Sequence, residues 1–149
     1  MELLNKKNVR ILERAREWRE AVKLSVEPLE EQGFVTPEYK DAIISNVEEM
    51  GPYIVLAPNI AMPHARPEQG AVKSQIAVTL FQNPVAFERR DTSAKLFITL
   101  AASDSESHLS ALVSISEILQ NDTLVEEILH APDEEMLYHY FEGGRNKDA

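Results

Sequence analysis

The sequence predicts an α/β protein in which helices cover both faces of a mixed β-sheet, a three-layer α/β/α sandwich. Three observations support this fold class. Amphipathic helical patterns occur before, between and after apolar runs of strand type. Two of these runs, residues 53–57 and 95–102, are apolar almost throughout, as in strands that are buried on both faces. No repeat or linker divides the chain, so residues 1–149 are expected to form one domain.

The first part of the chain predicts one strand and two helices. Residues 8–12 are partly β-branched and predict a short first strand. Apolar residues then recur at helical spacing from about Arg14, and Gly33 marks the expected end of this helix. Thr36 and Pro37 are typical of the N-cap and first residue of a second helix, which stops at Gly51-Pro52. The predicted buried face of the second helix consists of Tyr39, Ala42, Ile43, Val47 and Met50.

The middle of the chain predicts two further strands after the run at residues 53–57 and a proline-rich loop. Residues 74–81 have strand character, and the Asn-Pro pair at residues 83–84 predicts a turn into a shorter extended piece. Residues 88–91 are all charged and predict a solvated loop. Residues 95–102 give the clearest strand pattern and predict a central position in the sheet.

Three helices are predicted after this strand. Capping residues at 103–107 precede a helix whose periodic positions are Leu109, Leu112, Val113, Ser116 and Leu119, with Ile115 and Ile118 widening the face. Residues 121–123 cap a short second helix. Pro132 opens a third, which carries Met136, Leu137, Tyr140 and Phe141. Residues 143–149 are expected to be a flexible tail.

The composition excludes several classes of function. The formal charge of −10 argues against binding to nucleic acid or to an anionic membrane surface. It either permits steered docking with a basic protein or serves solubility alone. The absence of cysteine excludes disulfides and thiolate chemistry. No apolar run is long enough for membrane insertion, and the N-terminus lacks the pattern of a signal peptide. We therefore expect a cytoplasmic protein.

Residues 59–67, with the sequence NIAMPHARP, carry the chemistry that stands out most. The prolines within and just before this stretch restrict the backbone and stiffen the loop around His64. An imidazole is nucleophilic and largely neutral at pH 7, and the guanidinium of Arg66 suits phosphate. The pair therefore suggests a histidine that accepts and passes on a phosphoryl group. The plainer interpretation is a structural loop histidine.

His108 is the second candidate site residue, because it stands in the first turn of the helix that follows residues 95–102. Helix N-termini attract phosphate through free N–H groups and the positive end of the dipole. If both loops lie at one sheet edge, His108 and Arg66 could hold the oxygens of a phosphoryl group on His64. Asp104 and Glu106 would permit a metal site with the two histidines, but no dense ligand spacing supports one. His130 and His139 are expected to be surface residues.

Residues 51–67, GPYIVLAPNIAMPHARP, resemble the phosphorylation-site signature of enzyme IIA components of the bacterial sugar phosphotransferase system. The likeness is to the mannitol/fructose class and above all to the ascorbate-specific, formerly pentitol-type, IIA subfamily. Residues 107–112, SHLSAL, are similar to the second histidine motif of that family. The resemblance extends over nearly the whole chain and implies the mannitol-type IIA fold.

The resemblance also implies a mechanism and partners. His64 would be phosphorylated by phospho-HPr and would hand the group to a cysteine of a IIB partner. The IIB would phosphorylate ascorbate or a similar sugar as it enters through a membrane IIC component, and no metal or organic cofactor is expected. One alternative is a IIA-like phosphorylation sensor that binds a regulator or a transporter. Another is a metal hydrolase that uses the two histidines.

The chain departs from the family pattern at one position. Mannitol-type members carry an arginine about sixteen residues before the active histidine, and ungapped counting places Glu48 there. The phosphate-binding charge must then come from elsewhere or be absent. Our hypothesis is that Arg66 supplies it, because Arg66 is so near to His64 in the sequence.

Overall fold

A computed structural model describes residues 3–87 and 92–146. Within these ranges the chain forms a five-stranded sheet and five helices. The strands are β1 (Leu4–Leu12), β2 (Val55–Ala57), β3 (Asn59–Ala61), β4 (Gln75–Ala86) and β5 (Ser93–Ala101). The helices are α1 (Trp18–Glu31), α2 (Glu38–Met50), α3 (Ser105–Leu119), α4 (Asp122–Leu129) and α5 (Glu134–Asn146). None of the described helices combines the length and the apolarity that crossing a bilayer takes.

The sheet is mixed, as predicted. The strand order is β1-β4-β5-β3-β2. β1 is parallel to β4 and β3 is parallel to β5, whereas β4 and β5 are antiparallel and so are β2 and β3. The predicted central position of the strand at residues 95–102 is confirmed, because β5 lies in the middle of this order.

Side chains alternate along the central strands and divide the core into two layers. Ile76, Val78 and Leu80 of β4 pack in a cluster with residues of α3, α4 and α5. Ala77 and Phe81 point the other way and pack with residues of α1 and α2. This alternation is the period-two pattern of a sheet covered on both faces. The predicted three-layer α/β/α sandwich is confirmed.

The apolar run at residues 53–57 is not a central strand, and this prediction is wrong. Only Val55–Ala57 forms a strand, and β2 lies at the edge of the sheet. Leu56 is 46% exposed there. Pro58 follows immediately and has no N–H to extend the ladder, which keeps β2 short. An apolar run therefore indicated a strand here without indicating its place in the sheet.

The position beside β5 is taken instead by β3, which lies inside the predicted loop. Asn59 adopts a positive φ of 70°, so the chain reverses in a tight turn between β2 and β3. Ile60 and Ala61 then pair with Leu96 and Phe97 of β5. The prediction that His64 follows a strand end is therefore correct, but the strand is β3.

The predicted turn at residues 83–84 is also wrong, because β4 continues to Ala86. The ladder between β4 and β5 shifts register between Leu80 and Val85, as at a β-bulge. The Asn83 N–H and side-chain amide both donate to the carbonyl of Glu13 instead, at 3.1 and 2.9 Å. The irregularity accommodates Pro84 without ending the strand. Residues 88–91, predicted as a loop, lie outside the described residues.

The helices occur where the sequence predicts them, and Tyr39, Ile43 and Val47 of α2 are buried as predicted. One residue of that face and the face of α3 differ from the prediction. Met50, expected to be buried, is the last residue of α2 and is 58% exposed. In α3 the buried residues are Ala111, Ile115 and Ile118, whereas Leu109 and Val113 are exposed. Leu112 and Leu119 are only partly buried against the core. α3 is therefore turned so that its alanine and isoleucine residues face the sheet.

Several predicted helix ends are confirmed, and others move by a few residues. Asn121 caps α4 through a hydrogen bond from the Leu124 N–H at 3.0 Å. α1 begins at Trp18 rather than near Arg14. In α5, Met136 is 38% exposed whereas Leu137 and Phe141 are buried as expected. This helix extends to Asn146, so residues 143–146 are helical where a flexible tail was predicted. Residues 147–149 lie outside the described residues.

The outer edge of β1 is covered by α5. The Ile11 N–H donates to the Glu134 carboxylate at 2.9 Å. Lys6 lies 3.9 Å from the carboxylate of Glu135. Leu137 and Phe141 of α5 are fully buried in the same core cluster as Val9 of β1. Side chains of the last helix therefore occupy this edge of the sheet.

Candidate functional site

The parallel strands β3 and β5 end at the same edge of the sheet, and a cavity opens there. Its volume is about 400 Å³. The loop after β3, the start of α3 and the last turns of α2 provide its walls. His64, Arg66 and His108 all line it. The structure therefore brings together the three residues that the sequence singled out, at the kind of strand end where ligands bind in α/β sheets.

The imidazole of His64 is held by its own backbone neighbour. Its Nδ1 lies 2.7 Å from the carbonyl oxygen of Met62. A carbonyl can only accept, so Nδ1 carries the proton and Nε2 keeps the lone pair. Burial lowers the pKa of His64, the nearby His108 lowers it slightly further, and the bond to Met62 opposes both. The result is a neutral imidazole with Nε2 left to react.

The loop around His64 is tied to its surroundings through the main chain. The Met62 N–H donates to the Ile54 carbonyl at 2.7 Å, and the Leu100 N–H donates to the Pro63 carbonyl at 3.0 Å. The Tyr53 hydroxyl donates to the carbonyl of His64 itself at 2.5 Å. The ring of Tyr53 meets the imidazole edge-on, with 5.2 Å between ring centroids. These bonds fix the loop on the side of β2 and β5.

Tyr39 fixes the same loop from below. Its hydroxyl accepts the Ala65 N–H at 3.0 Å and donates to the Leu100 carbonyl at 2.9 Å. The side chain is fully buried between α2 and the sheet. Burial raises the pKa of Tyr39 to about 12, because the ionised phenolate would lose its hydration there. One hydroxyl thus joins the residue after His64 to the central strand β5.

His108 contributes its imidazole ring to the lining of the cavity. The ring centroids of His64 and His108 are 6.3 Å apart. The N–H groups of Ser107 and His108 are bonded to the side chain and main chain of Asp104, at 2.7 and 3.1 Å. The bond from Ser107 holds the pKa of Asp104 below its usual value. The Asp104 carboxylate therefore already occupies a free N–H group of the helix terminus that could otherwise bind phosphate.

Arg66 is more exposed than the other two. Its side chain is 69% exposed, and its Nε lies 3.2 Å from the carboxylate of Glu68. An ion pair this exposed contributes little, so the guanidinium is free to turn toward an anion in the cavity. Glu48, at the position of the missing arginine, is instead turned to α1, where its carboxylate bonds Arg19 at 2.8 Å.

Sequence reasoning missed the roles of Tyr39, Tyr53 and Asn46, the last two of which line the cavity. Tyr39 and Asn46 act across contacts that span more than twenty residues, so no local pattern marks them. His130 and His139 are exposed on the terminal helices, as predicted. Nowhere in the ranges that the structure describes do three or more histidine and carboxylate side chains gather as metal ligands would.

Comparison with known proteins places this site in context. The profile of the family described as "Phosphoenolpyruvate-dependent sugar phosphotransferase system, EIIA 2" matches residues 2–143. The mannitol-specific cryptic phosphotransferase enzyme IIA component of Escherichia coli (strain K12) is 37% identical over 130 residues, which are 87% of this chain and 88% of that protein. A solution structure of the mannitol-specific cryptic enzyme IIA from Escherichia coli has a TM-score of 0.89 at 34% identity, and the match covers 94% of this chain and 95% of that one.

Two further similarities bear on substrate and partner. The ascorbate-specific PTS system EIIA component of Escherichia coli (strain K12) is 39% identical over 107 residues, 71% of this chain and 70% of that protein. The complex of the mannitol enzyme IIA with phosphorylated mannitol enzyme IIB, both from Escherichia coli, contains a chain that matches with a TM-score of 0.77 at 25% identity. That match covers 90% of this chain and 94% of the other.

Proposed function

Because the chain belongs to the EIIA 2 family of the phosphoenolpyruvate-dependent sugar phosphotransferase system, we propose that it is a phosphoryl carrier that works through His64. It accepts a phosphoryl group from phospho-HPr and passes it to a cysteine of a IIB partner. The IIB then phosphorylates a sugar that enters through a membrane IIC component. On this proposal residues 1–149 act as one enzyme IIA domain in the cytoplasm.

The hydrogen bond from His64 Nδ1 to the Met62 carbonyl is the observation that carries this proposal. With Nδ1 engaged, the Nε2 lone pair is the nucleophile. It attacks the phosphorus of the donor, the bond from phosphorus to the donor atom breaks, and the donor keeps that electron pair. Positive charge develops on the imidazole ring, and the Met62 carbonyl dipole stabilises it. In the second step the IIB thiolate attacks the same phosphorus, and Nε2 leaves with the electron pair.

His108 and Arg66 supply the charge compensation in this proposal. A loose phosphoryl transition state spreads negative charge over three oxygens, so catalysis depends on positioned donors. A ring nitrogen of His108 can donate one hydrogen bond, and the fork of Arg66 can donate two. Glu48 cannot contribute, because it is acidic and bonded to Arg19. Arg66 therefore takes the place of the upstream arginine.

The phosphoryl donor is expected to dock at the rim of the cavity. Met50 and Leu109 are large apolar residues exposed there, beside the cavity wall of α2 and next to His108. The acidic chain, with a formal charge of −10, suits a basic donor protein. The rate of docking should therefore fall as salt is added.

Ascorbate or a similar sugar is the proposed substrate of the whole system. The GPY motif at residues 51–53 and the AMPHARP motif at residues 61–67 support the ascorbate assignment, as does the similarity to an ascorbate-specific component. The mannitol-specific relative matches over more of the chain. On this proposal the selectivity for the sugar resides in the IIB and IIC partners.

Labelling with radioactive phosphoenolpyruvate, enzyme I and HPr tests the proposal. The wild type is expected to take up acid-labile label, and His64→Ala is expected to take up none. His108→Ala should be labelled but should transfer poorly to IIB, and Arg66→Ala should accept the group roughly 100–1000-fold more slowly because one charged donor is lost. His139→Ala is the matched control and should behave as wild type. Persistent labelling of His64→Ala would refute the proposal, and equal rates for Arg66→Ala and wild type would remove Arg66 from it.

A further inference from the structure

The wall of the cavity opposite the two histidines is formed by the end of α2, and Asn46 is its polar side chain. Asn46 is about one turn of helix before Met50, on the side of α2 that faces the loop of His64. Glu48 lies only two residues further on but points to Arg19. The residue that α2 presents to the reacting group is therefore a neutral amide.

The amide of Asn46 is bonded to the segment that carries Arg66. Its Nδ2 donates to the Oε1 of Gln69 at 3.2 Å, and the same oxygen accepts the N–H of Arg66 at 2.9 Å. The Gln69 N–H also returns to the Arg66 carbonyl at 2.9 Å. The backbone of Arg66 is thus held in a short 3-10 turn, Pro67–Gln69, and Asn46 anchors that turn to α2.

The same amide also lines the cavity with Tyr53. It opposes the rise in the pKa of Tyr53 that burial causes. The Tyr53 hydroxyl in turn donates to the His64 carbonyl. Asn46 is therefore bonded to the turn that follows Arg66, whereas Tyr53 holds the His64 end of the same loop.

We propose that Asn46 is a positioning residue that acts through its hydrogen bond to Gln69. It sets where the backbone of Arg66, and with it the reach of the guanidinium, lies relative to His64 Nε2. This inference rests on the proposed function. A neutral amide adds no charge to the transition state, so its contribution lies in the placement of the charge that Arg66 brings. Phosphoryl transfer is sensitive to such placement, because misplacement by about 1 Å can cost roughly 100-fold in rate.

A double-mutant cycle on phosphoryl acceptance from phospho-HPr tests the inference. Asn46→Ala is expected to slow acceptance about 10-fold in the wild-type background and less than about twofold in the Arg66→Ala background, since no guanidinium is left to place. Gln69→Met removes the shared acceptor oxygen at a half-exposed position and should reproduce both effects. Ser45→Ala, an exposed neighbour on α2, is the matched control and should leave the rate unchanged.

The outcomes are separable. A rate for Asn46→Ala equal to that of wild type overturns the inference, and so does an equal slowing in both backgrounds, which would mean that Asn46 acts independently of Arg66. If Asn46→Ala does not fold, the Gln69→Met cycle decides by the same criteria. Failure of the wild type to be labelled at His64 would instead overturn the proposed function itself.

Discussion

Replacing Tyr39 by phenylalanine should both loosen the loop of His64 and destabilise the fold. The change removes only the hydroxyl, so the buried ring continues to pack between α2 and the sheet. It leaves the Ala65 N–H and the Leu100 carbonyl without their partner. An unpaired polar group away from water costs about 1–3 kcal/mol, so two of them should lower the free energy of unfolding by roughly 2–6 kcal/mol.

Urea and thermal unfolding measure this loss directly. For a chain of this size about 1 kcal/mol corresponds to roughly 2–4 °C in Tm, so Tyr39→Phe should melt roughly 4–24 °C below wild type. Tyr138→Phe is the matched control. Tyr138 is half-buried and has no hydrogen bond from its hydroxyl in the described structure, so its loss should change the free energy of unfolding by less than about 0.5 kcal/mol. Equal stability of the two variants would refute the reasoning.

The pH dependence gives an independent check on Tyr39. The unfolded chain releases the phenolic proton near the usual pKa of 10.0, whereas the folded protein holds it until about 12. Because the unfolded state binds fewer protons between these values, stability falls as the pH rises through this window. The loss should be about 2–3 kcal/mol at about 1.4 kcal/mol per pH unit. Tyr39→Phe should lack this part of the fall. If the free energy of unfolding falls equally with pH above 10 in wild type and in Tyr39→Phe, the assignment of this fall to Tyr39 is contradicted.

Two further predictions concern His64 and Gly70. Since burial and His108 lower the pKa of His64, an NMR titration of its imidazole should show a midpoint below the ordinary 6.5. Phosphoryl acceptance should then stay constant as the pH falls to about 6.5 and should decline only below that pH. His108→Gln should raise the midpoint of the His64 titration. A midpoint above 6.5 in wild type would contradict this prediction. Gly70→Ala places a Cβ 2.5 Å from the Thr36 hydroxyl at a φ of +138°, whereas Gly33→Ala at φ +81° meets nothing within 4 Å. Both variants should lose roughly 1 kcal/mol to backbone strain, and chemical denaturation should show that Gly70→Ala loses about 1–3 kcal/mol more.

The sequence predicted the layers of the fold because hydrophobic periodicity reports burial directly. The run at residues 95–102 is long, apolar and flanked by capping residues, and β5 occupies the centre of the sheet. β3 could not be found in this way, because its three residues lie between prolines and gain their strand geometry from pairing with β5. The run at residues 53–57 shows the converse. Its composition suits a central strand, but strand order depends on contacts with residues that are distant in the sequence.

The candidate site divides along the same line. His64 and Arg66 lie in one short motif, and His108 follows a recognisable cap, so residue chemistry and spacing were enough to select all three. The residues that hold them in place were not predicted. Tyr39 reaches Leu100 across 61 positions, and Asn46 reaches Gln69 across 23. Local hydrophobic periodicity cannot predict either contact, because both depend on how α2 packs over the sheet.

The covered edge of β1 has a consequence for how copies of this protein behave at high concentration. An open edge strand is a template on which a second chain can add a strand, and such growth leads to aggregation. Here the Glu134 carboxylate already accepts the Ile11 N–H. A strand from a second molecule would have to displace this carboxylate and pack its backbone against the acidic side chains of Glu134 and Glu135. Glu134→Ala should therefore make self-association easier at the sheet edge distant from His64, without touching the residues that line the cavity.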